Sequence, residues 1–184
     1  MRNLLYDIKF HFAKSEPYYI TFAVALVSGI CAGVFTFGCL SASLVAEVGI
    51  IISNYNNAIV YGFITDDVVY EGIKNSMAMS LILYVCSFTP LAVASGVLVL
   101  AAKGFCIGFA ATGVLKCFAL KNAAVLLLQS TPYQLLSIAA LLLMAGIGAT
   151  NQKVRRSAGL NTLLYVMAYL LFVAGIICEV LIKC

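Results

Sequence analysis

Charge is what this sequence has least of. Only 10% of its 184 residues are charged, against 64% that are hydrophobic, whereas soluble domains carry about 25% charged residues. The shortage argues against water as the sole solvent. Histidine is nearly absent too: His11 is the only one. It stands in the charged N-terminal segment, which excludes a Ser–His pair inside a membrane span. The seven cysteines (31, 39, 86, 106, 117, 178 and 184) contain no Cys-x-x-Cys pair. With one histidine and cysteines so dispersed, no zinc site and no other metal or cofactor site is expected. The cysteines read instead as small packing hydrophobes. The net charge of +4 is spread over short segments, with no dense basic tract, so no nucleic-acid partner is expected.

What is present in quantity is uninterrupted apolar sequence. Charge-free stretches cover 17–46, 48–65, 75–102, 122–152 and 157–178. A membrane helix needs roughly 20 apolar residues, and four of these stretches meet that length. The predicted fold class is all-α: a single polytopic membrane domain, 1–184, with five spans at about 18–40, 76–100, 104–120, 123–149 and 160–181. An external loop, 41–74, follows the first span. The charged residues ahead of the first span and its length favour a signal-anchor over a cleaved leader. The C-terminal four residues do not fit a prenylation signal.

Within this frame, residues 1–16 read as an amphipathic helix on the membrane face, and Pro17 as the first-turn proline of span one. Gly29 and Gly33 form a small-xxx-small face that admits a close helix neighbour. In 48–65, Ser53, Asn54, Asn56 and Asn57 interrupt the apolar run, so an interfacial helix is expected there rather than a crossing. Pro90 predicts a kink inside the second span. Lys103-Gly104 and Lys121-Asn122 read as tight connections. The short third span carries Gly104, Phe105, Gly108 and Gly113. The run 122–152 is too long for one straight crossing, and Pro132 predicts a break into two helical pieces.

With the N-terminus inside, Arg2, Lys9, Lys14, Lys103, Lys153, Arg155 and Arg156 fall inside, and Lys74, Lys116, Lys121 and Lys183 outside. This is the bias that the positive-inside rule prefers. A six-span arrangement that inserts 48–65 gives the same totals, but sends the cluster Lys153, Arg155 and Arg156 outside.

No constellation demands catalysis, and no enzymatic activity is expected. Lys103 or Lys116 beside a serine would be the only dyad to consider, and snorkelling lysines explain both more simply. Glu47, Glu179 and Lys116 sit near span ends, with no ionisable group expected at mid-bilayer. The unit 103–149 is the most unusual feature: a Gly-rich span, a tight turn, then a Pro-broken segment. Such a segment is suited either to a transport site or to a rigid docking surface.

The run Lys103-Gly-Phe-Cys-Ile-Gly-Phe-Ala-Ala-Thr-Gly113, then Leu120-Lys-Asn, then the apolar stretch from Pro132-Tyr-Gln-Leu-Leu-Ser-Ile to Ala149, resembles the stage II sporulation protein M family. The resemblance covers most of the chain, although only 103–149 carries motif-like detail. The chain departs from the family at Asn122, where relatives often have Gly, and at Tyr133 and Gln134. It also lacks the acidic residue that broader relatives carry after the proline. The resemblance implies a non-enzymatic scaffold in the cell membrane of an endospore former. Its N-terminus would be cytoplasmic, and it would act at the septal, engulfing mother-cell membrane. There it would recruit and anchor the stage II sporulation proteins P and D, which degrade peptidoglycan. The alternative is a small channel or transporter using the segment around Pro132. Besides the lipid bilayer and those two proteins, a second copy of the chain is a candidate partner. Gly29, Gly33, Gly104, Phe105, Gly108, Gly113, Pro132, Tyr133 and Gln134 are the candidate packing or interaction residues.

Overall fold

The computed structural model describes the backbone of residues 2–60, 66–154 and 158–183. Side chains are described for 16–54, 74, 77–128, 130–151, 162–175, 177 and 178. The described residues form six α-helices: α1 (Arg2–Gly38), α2 (Ala42–Val60), α3 (Asp66–Cys86), α4 (Ala92–Cys117), α5 (Leu120–Val154) and α6 (Ala158–Lys183). There is no strand among the described residues, as expected for an apolar chain that must satisfy its own backbone groups.

Three helical segments among the described residues are long and apolar enough to cross a membrane: Glu16–Gly38, Ala92–Cys117 and Ser130–Asn151. Shorter apolar stretches lie at Ala42–Asn54, Met77–Cys86 and Thr162–Gly175.

Several boundaries differ from the sequence expectation. The second and third expected spans, 76–100 and 104–120, are not divided at Lys103-Gly104. Helix α4 runs straight through that pair, and the chain turns instead at 87–91, around Pro90. Hydrogen bonds hold this turn. The Thr89 amide and hydroxyl both donate to the Cys86 carbonyl (3.0 and 2.9 Å), and the Leu91 amide donates to Thr89 Oγ1 (3.3 Å). Proline disfavours helix in the residue before it and cannot donate to a preceding turn, so the helix ends ahead of it. The same residue type ends nothing at Pro132, where a break was expected: α5 continues through it. Pro132 leaves the Leu128 carbonyl without its amide donor, while the Ser130 and Thr131 hydroxyls donate to the adjacent Leu127 carbonyl (3.1 and 2.7 Å). Membrane helices tolerate an internal proline of this kind. Pro17 likewise lies inside α1 instead of opening a helix. The connection expected at Lys121-Asn122 falls earlier, at Phe118 and Ala119. The loop 41–74 is largely helical, with α2 where an interfacial helix was expected. The side chains of 1–15, Asn56, Asn57, Gln129, Lys153, Arg155 and Arg156 lie outside the described residues, as do the expectations resting on them.

The helix directions alternate around a shared core. Gly29 faces Ala101 and Gly33 faces Phe105, while Gly104 faces Leu26 and Gly108 faces Ile30. The numbers rise together on both helices, so α1 and α4 run parallel. Gly96 meets Ala145, and Lys103 meets Tyr133, so α4 and α5 are antiparallel. Tyr165 bonds to Met144 while Gly175 packs on Leu136, so α5 and α6 are antiparallel too. Helix α3 runs against α6, with Tyr84 on Thr162 and Met77 and Ser80 sharing a groove with Tyr169. Thus α1, α4 and α6 point one way, and α3 and α5 the other. Helix α2 packs on the C-terminal end of α4, where Gly49 touches Cys117 and Ile52 touches Gly113. Phe22, Leu83, Leu100, Leu141, Met144 and Phe172 fill the core where these helices converge. Large apolar side chains on the perimeter, such as Val24, Phe35, Leu98 and Leu128, are exposed.

Candidate functional site

The most constrained place in the molecule is the seam between α1 and α4. A Cβ on Gly29 would fall on the carbonyl oxygen of Ala101, and one on Gly33 on that of Phe105. Conversely, a Cβ on Gly104 would fall on the Leu26 carbonyl and one on Gly108 on the Ile30 carbonyl. The two Gly-xxx-Gly pairs therefore interlock, each glycine admitting a carbonyl of the other helix. Lipid tails supply no hydrophobic driving force between helices, so close packing of this kind holds membrane helices together. Such backbone approach also permits Cα–H···O contacts.

The seam continues in aromatic form towards the C-terminal end of α1. The Phe37 ring meets the Phe109 ring edge-on at 5.0 Å, and Phe109 stacks on Phe105 at 5.9 Å. Gly113 sits under Phe37 and Ile52, each 3.1 Å from where its Cβ would be. Lys116 reaches over Phe37 at 5.7 Å from the ring centroid.

The second notable place is polar. Lys103 is only 9% exposed. It stands eleven residues after Ala92 and fourteen before Cys117 on α4, roughly 16 and 21 Å from the two ends. Its Nζ lies 5.0 Å from the centroid of the Tyr133 ring, a cation–π distance. Tyr133 packs edge-on against Phe172 of α6 at 6.3 Å. On α5, Ser137 and Gln134 lie about 40° and about 100° round from Tyr133, one inward-facing arc. Ser137 is fully buried with no hydrogen-bond partner for its hydroxyl, and Gln134 Oε1 is buried and unpartnered as well.

This inward face of α5 has two halves. One carries Ser130, Tyr133, Gln134 and Ser137, and the other carries Ala140, Leu141 and Met144, all three fully buried. The apolar half leads to Tyr165, whose hydroxyl reaches the carbonyls of Met144 (2.9 Å) and Leu83 (3.2 Å). The Tyr84 and Thr162 hydroxyls bond across α3 and α6 at 2.9 Å. At the end of that half, the Asn151 amide donates to the Ser87 carbonyl at 3.4 Å.

The candidate residues thus fall into two groups. Gly29, Gly33, Gly104, Phe105 and Gly108 meet in the α1–α4 seam, and Gly113 lies at its continuation. Pro132, Tyr133 and Gln134 lie on α5, and Tyr133 joins them to α4 through Lys103. Sequence reasoning placed Lys103 in a connection and so missed its burial. The available signal was that Lys103 alone interrupts the apolar run from 75 to 115. Ser137 and Tyr165 carried no such signal. Among the described residues, no group of three or more His, Cys, Asp or Glu is placed to hold a metal ion. No family model matches the chain, and neither the curated proteins nor the solved structures provide a match.

Proposed function

We propose that the chain is a five-pass membrane scaffold that anchors other proteins at the bilayer. The observation that carries this reading is the interlocked α1–α4 seam. Backbone packed on backbone makes a stiff frame, because neither helix can slide without driving a carbonyl off its glycine and into a neighbouring side chain. The parallel course of α1 and α4 supports the span count. If both cross the bilayer, the chain between them returns to its starting side, and α3 does so in one pass. Helix α2 is then an interfacial element at the far end of α4. Ile50, Ile51 and Asn54 are exposed there as a surface for partners on the wall side.

In this topology Arg2, Lys9, Lys14, Lys153, Arg155 and Arg156 share one side, and Lys116, Lys121 and Lys183 the other, with Lys74 within α3 and Lys103 within the bundle. The basic excess makes the N-terminal side cytoplasmic. Reporter fusions at residues 57 and 155 test this arrangement: opposite sides are expected, and a shared side would overturn it.

The partners follow from the family resemblance carried by 103–149. They are the stage II sporulation proteins P and D at the septal membrane, during engulfment of the forespore. Deleting the gene in a spore-forming host is expected to stall septal peptidoglycan thinning and to leave both proteins unanchored. Normal engulfment in the deletion strain would reject the reading.

A second reading, passage of a solute, is favoured by one observation: Lys103 is buried at mid-helix, where an ionisable group in a membrane span marks a functional position. It predicts flux in liposomes holding the purified protein, abolished by Gln134→Leu. Inert liposomes would reject it.

A further inference from the structure

We propose that the groove between α3 and α6 binds the ring of a lipid-soluble quinone, whose aliphatic tail stays in the bilayer. The groove holds about 230 Å³, and the buried Met144 and Tyr165 are among its lining residues. Met77, Leu81 and Val166 beside it are exposed. It therefore opens on the perimeter of the bundle, which is lipid in the five-pass topology. Pockets for whole drug-sized ligands measure roughly 300–1,000 Å³, so this one takes a single ring and leaves the rest of the ligand outside. Tyrosine rings and methionine sulfurs line it, and both pack well on a flat, polarisable ring.

Hydrogen bonding sets the chemistry of that ring. Five hydroxyls line the groove, and four are engaged within the protein. Ser80 donates to the Met77 carbonyl (2.9 Å), Tyr84 and Thr162 bond to each other (2.9 Å), and Tyr165 reaches the Met144 and Leu83 carbonyls. Of the five, the Tyr169 hydroxyl alone bonds to no other group among the described residues. Tyr169 stands eleven residues after Ala158 and fourteen before Lys183 on α6, roughly 16 and 21 Å from the two ends. At that depth no water reaches it, and an unmet hydroxyl in hydrocarbon is costly. The ligand must bring an acceptor there on an apolar body. Phospholipid ester carbonyls stay at the edges of the ~30 Å hydrocarbon core, and a fatty acid would carry its acceptor as a charge. A quinone ring brings neutral carbonyls to mid-membrane. The site rests on the five-pass topology and on none of the proposed partners.

The test is equilibrium binding to the full chain in lipid nanodiscs, with empty nanodiscs subtracted for partition into the bilayer. The probe is a radiolabelled benzoquinone bearing a single isoprenoid unit. The control is the same tail on benzene, which lacks the carbonyls. Saturable quinone binding is expected, with the control about three- to tenfold weaker, as loss of one hydrogen bond brings. Tyr169→Phe, which keeps the ring and the fold, is expected to weaken the quinone by the same factor and to leave the control unchanged. Val166→Trp is expected to fill the groove and abolish binding, whereas Val24→Trp on the exposed face of α1 should have no effect. Absence of saturable quinone binding would overturn the proposal. So would equal affinity for quinone and control, or quinone binding unchanged by Tyr169→Phe or by Val166→Trp. Reporter fusions on a shared side would overturn the topology, and a normal septal phenotype the scaffold reading, whereas these binding outcomes concern the groove alone.

Discussion

The α1–α4 seam and the α3–α5–α6 side of the bundle meet the same problem with opposite means. Along the seam, side chains are removed: Gly29, Gly33, Gly104 and Gly108 let carbonyls of the facing helix occupy the space a Cβ would take. Across α3, α5 and α6 the gaps are filled by rings, with Tyr84 edge-on to Tyr165 at 5.2 Å and Tyr133 edge-on to Phe172. The Tyr165 hydroxyl there bonds to carbonyls of both neighbouring helices. In lipid, where apolar burial between helices gains little, both devices supply what remains: dispersion contacts and interhelical hydrogen bonds. They differ in tolerance. A ring or a hydroxyl can shift its rotamer, whereas a carbonyl in a helix cannot move without the helix.

That difference sets an order of damage. The paired change Gly29→Leu with Gly104→Leu should be the most severe, exceeding the ~1–3 kcal/mol of ordinary overpacking because backbone stands in the way. The expected outcome is loss of a monodisperse folded species in detergent, read by size-exclusion and thermal melting by circular dichroism. Retention of a native melt would mean that the seam can open. Phe172→Ala should follow, at about 3 kcal/mol from the cavity left behind. It should lower the melting temperature while leaving a folded protein. A loss greater than that of the glycine pair would reverse the comparison.

Lys103→Met takes the cation from over the Tyr133 ring, and a fall of about 0.5–2 kcal/mol is expected, measured as a lower melting temperature. An unchanged melt would mean that this contact contributes nothing to the bundle. Smallest of all, Tyr165→Phe keeps the ring and removes the hydroxyl that reaches Met144 and Leu83. A cost of about 0.6–1.5 kcal/mol is expected, measured as a modest drop in melting temperature.

The seam was half legible in advance. Small residues spaced by four mark a helix face that admits close approach, so both glycine pairs stood out. Nothing in their spacing said that one pair would face the other, or in parallel. The prolines were legible as features but not in their effects. Pro90 was expected to kink a helix and instead stands in a turn that separates two. Pro132 was expected to break a helix and lies within one. Each outcome depends on how the surrounding helices accommodate the proline, which is a property of the packed molecule. Lys103 misled for a related reason. A charge is costly in hydrocarbon, so it reads as a helix end unless protein surrounds it.

The sequence by itself determined that the chain is helical and that its apolar helices suit a membrane, because scarce charge and long apolar runs leave hardly any other way to satisfy the backbone in lipid. Where the helices end, which way each runs beside its neighbours, and that a lysine lies buried at the middle of α4 were decided by tertiary packing alone. Those choices turn on contacts between residues some 70 positions or more apart, such as Gly29 with Ala101 and Leu83 with Tyr165, and no local pattern records them.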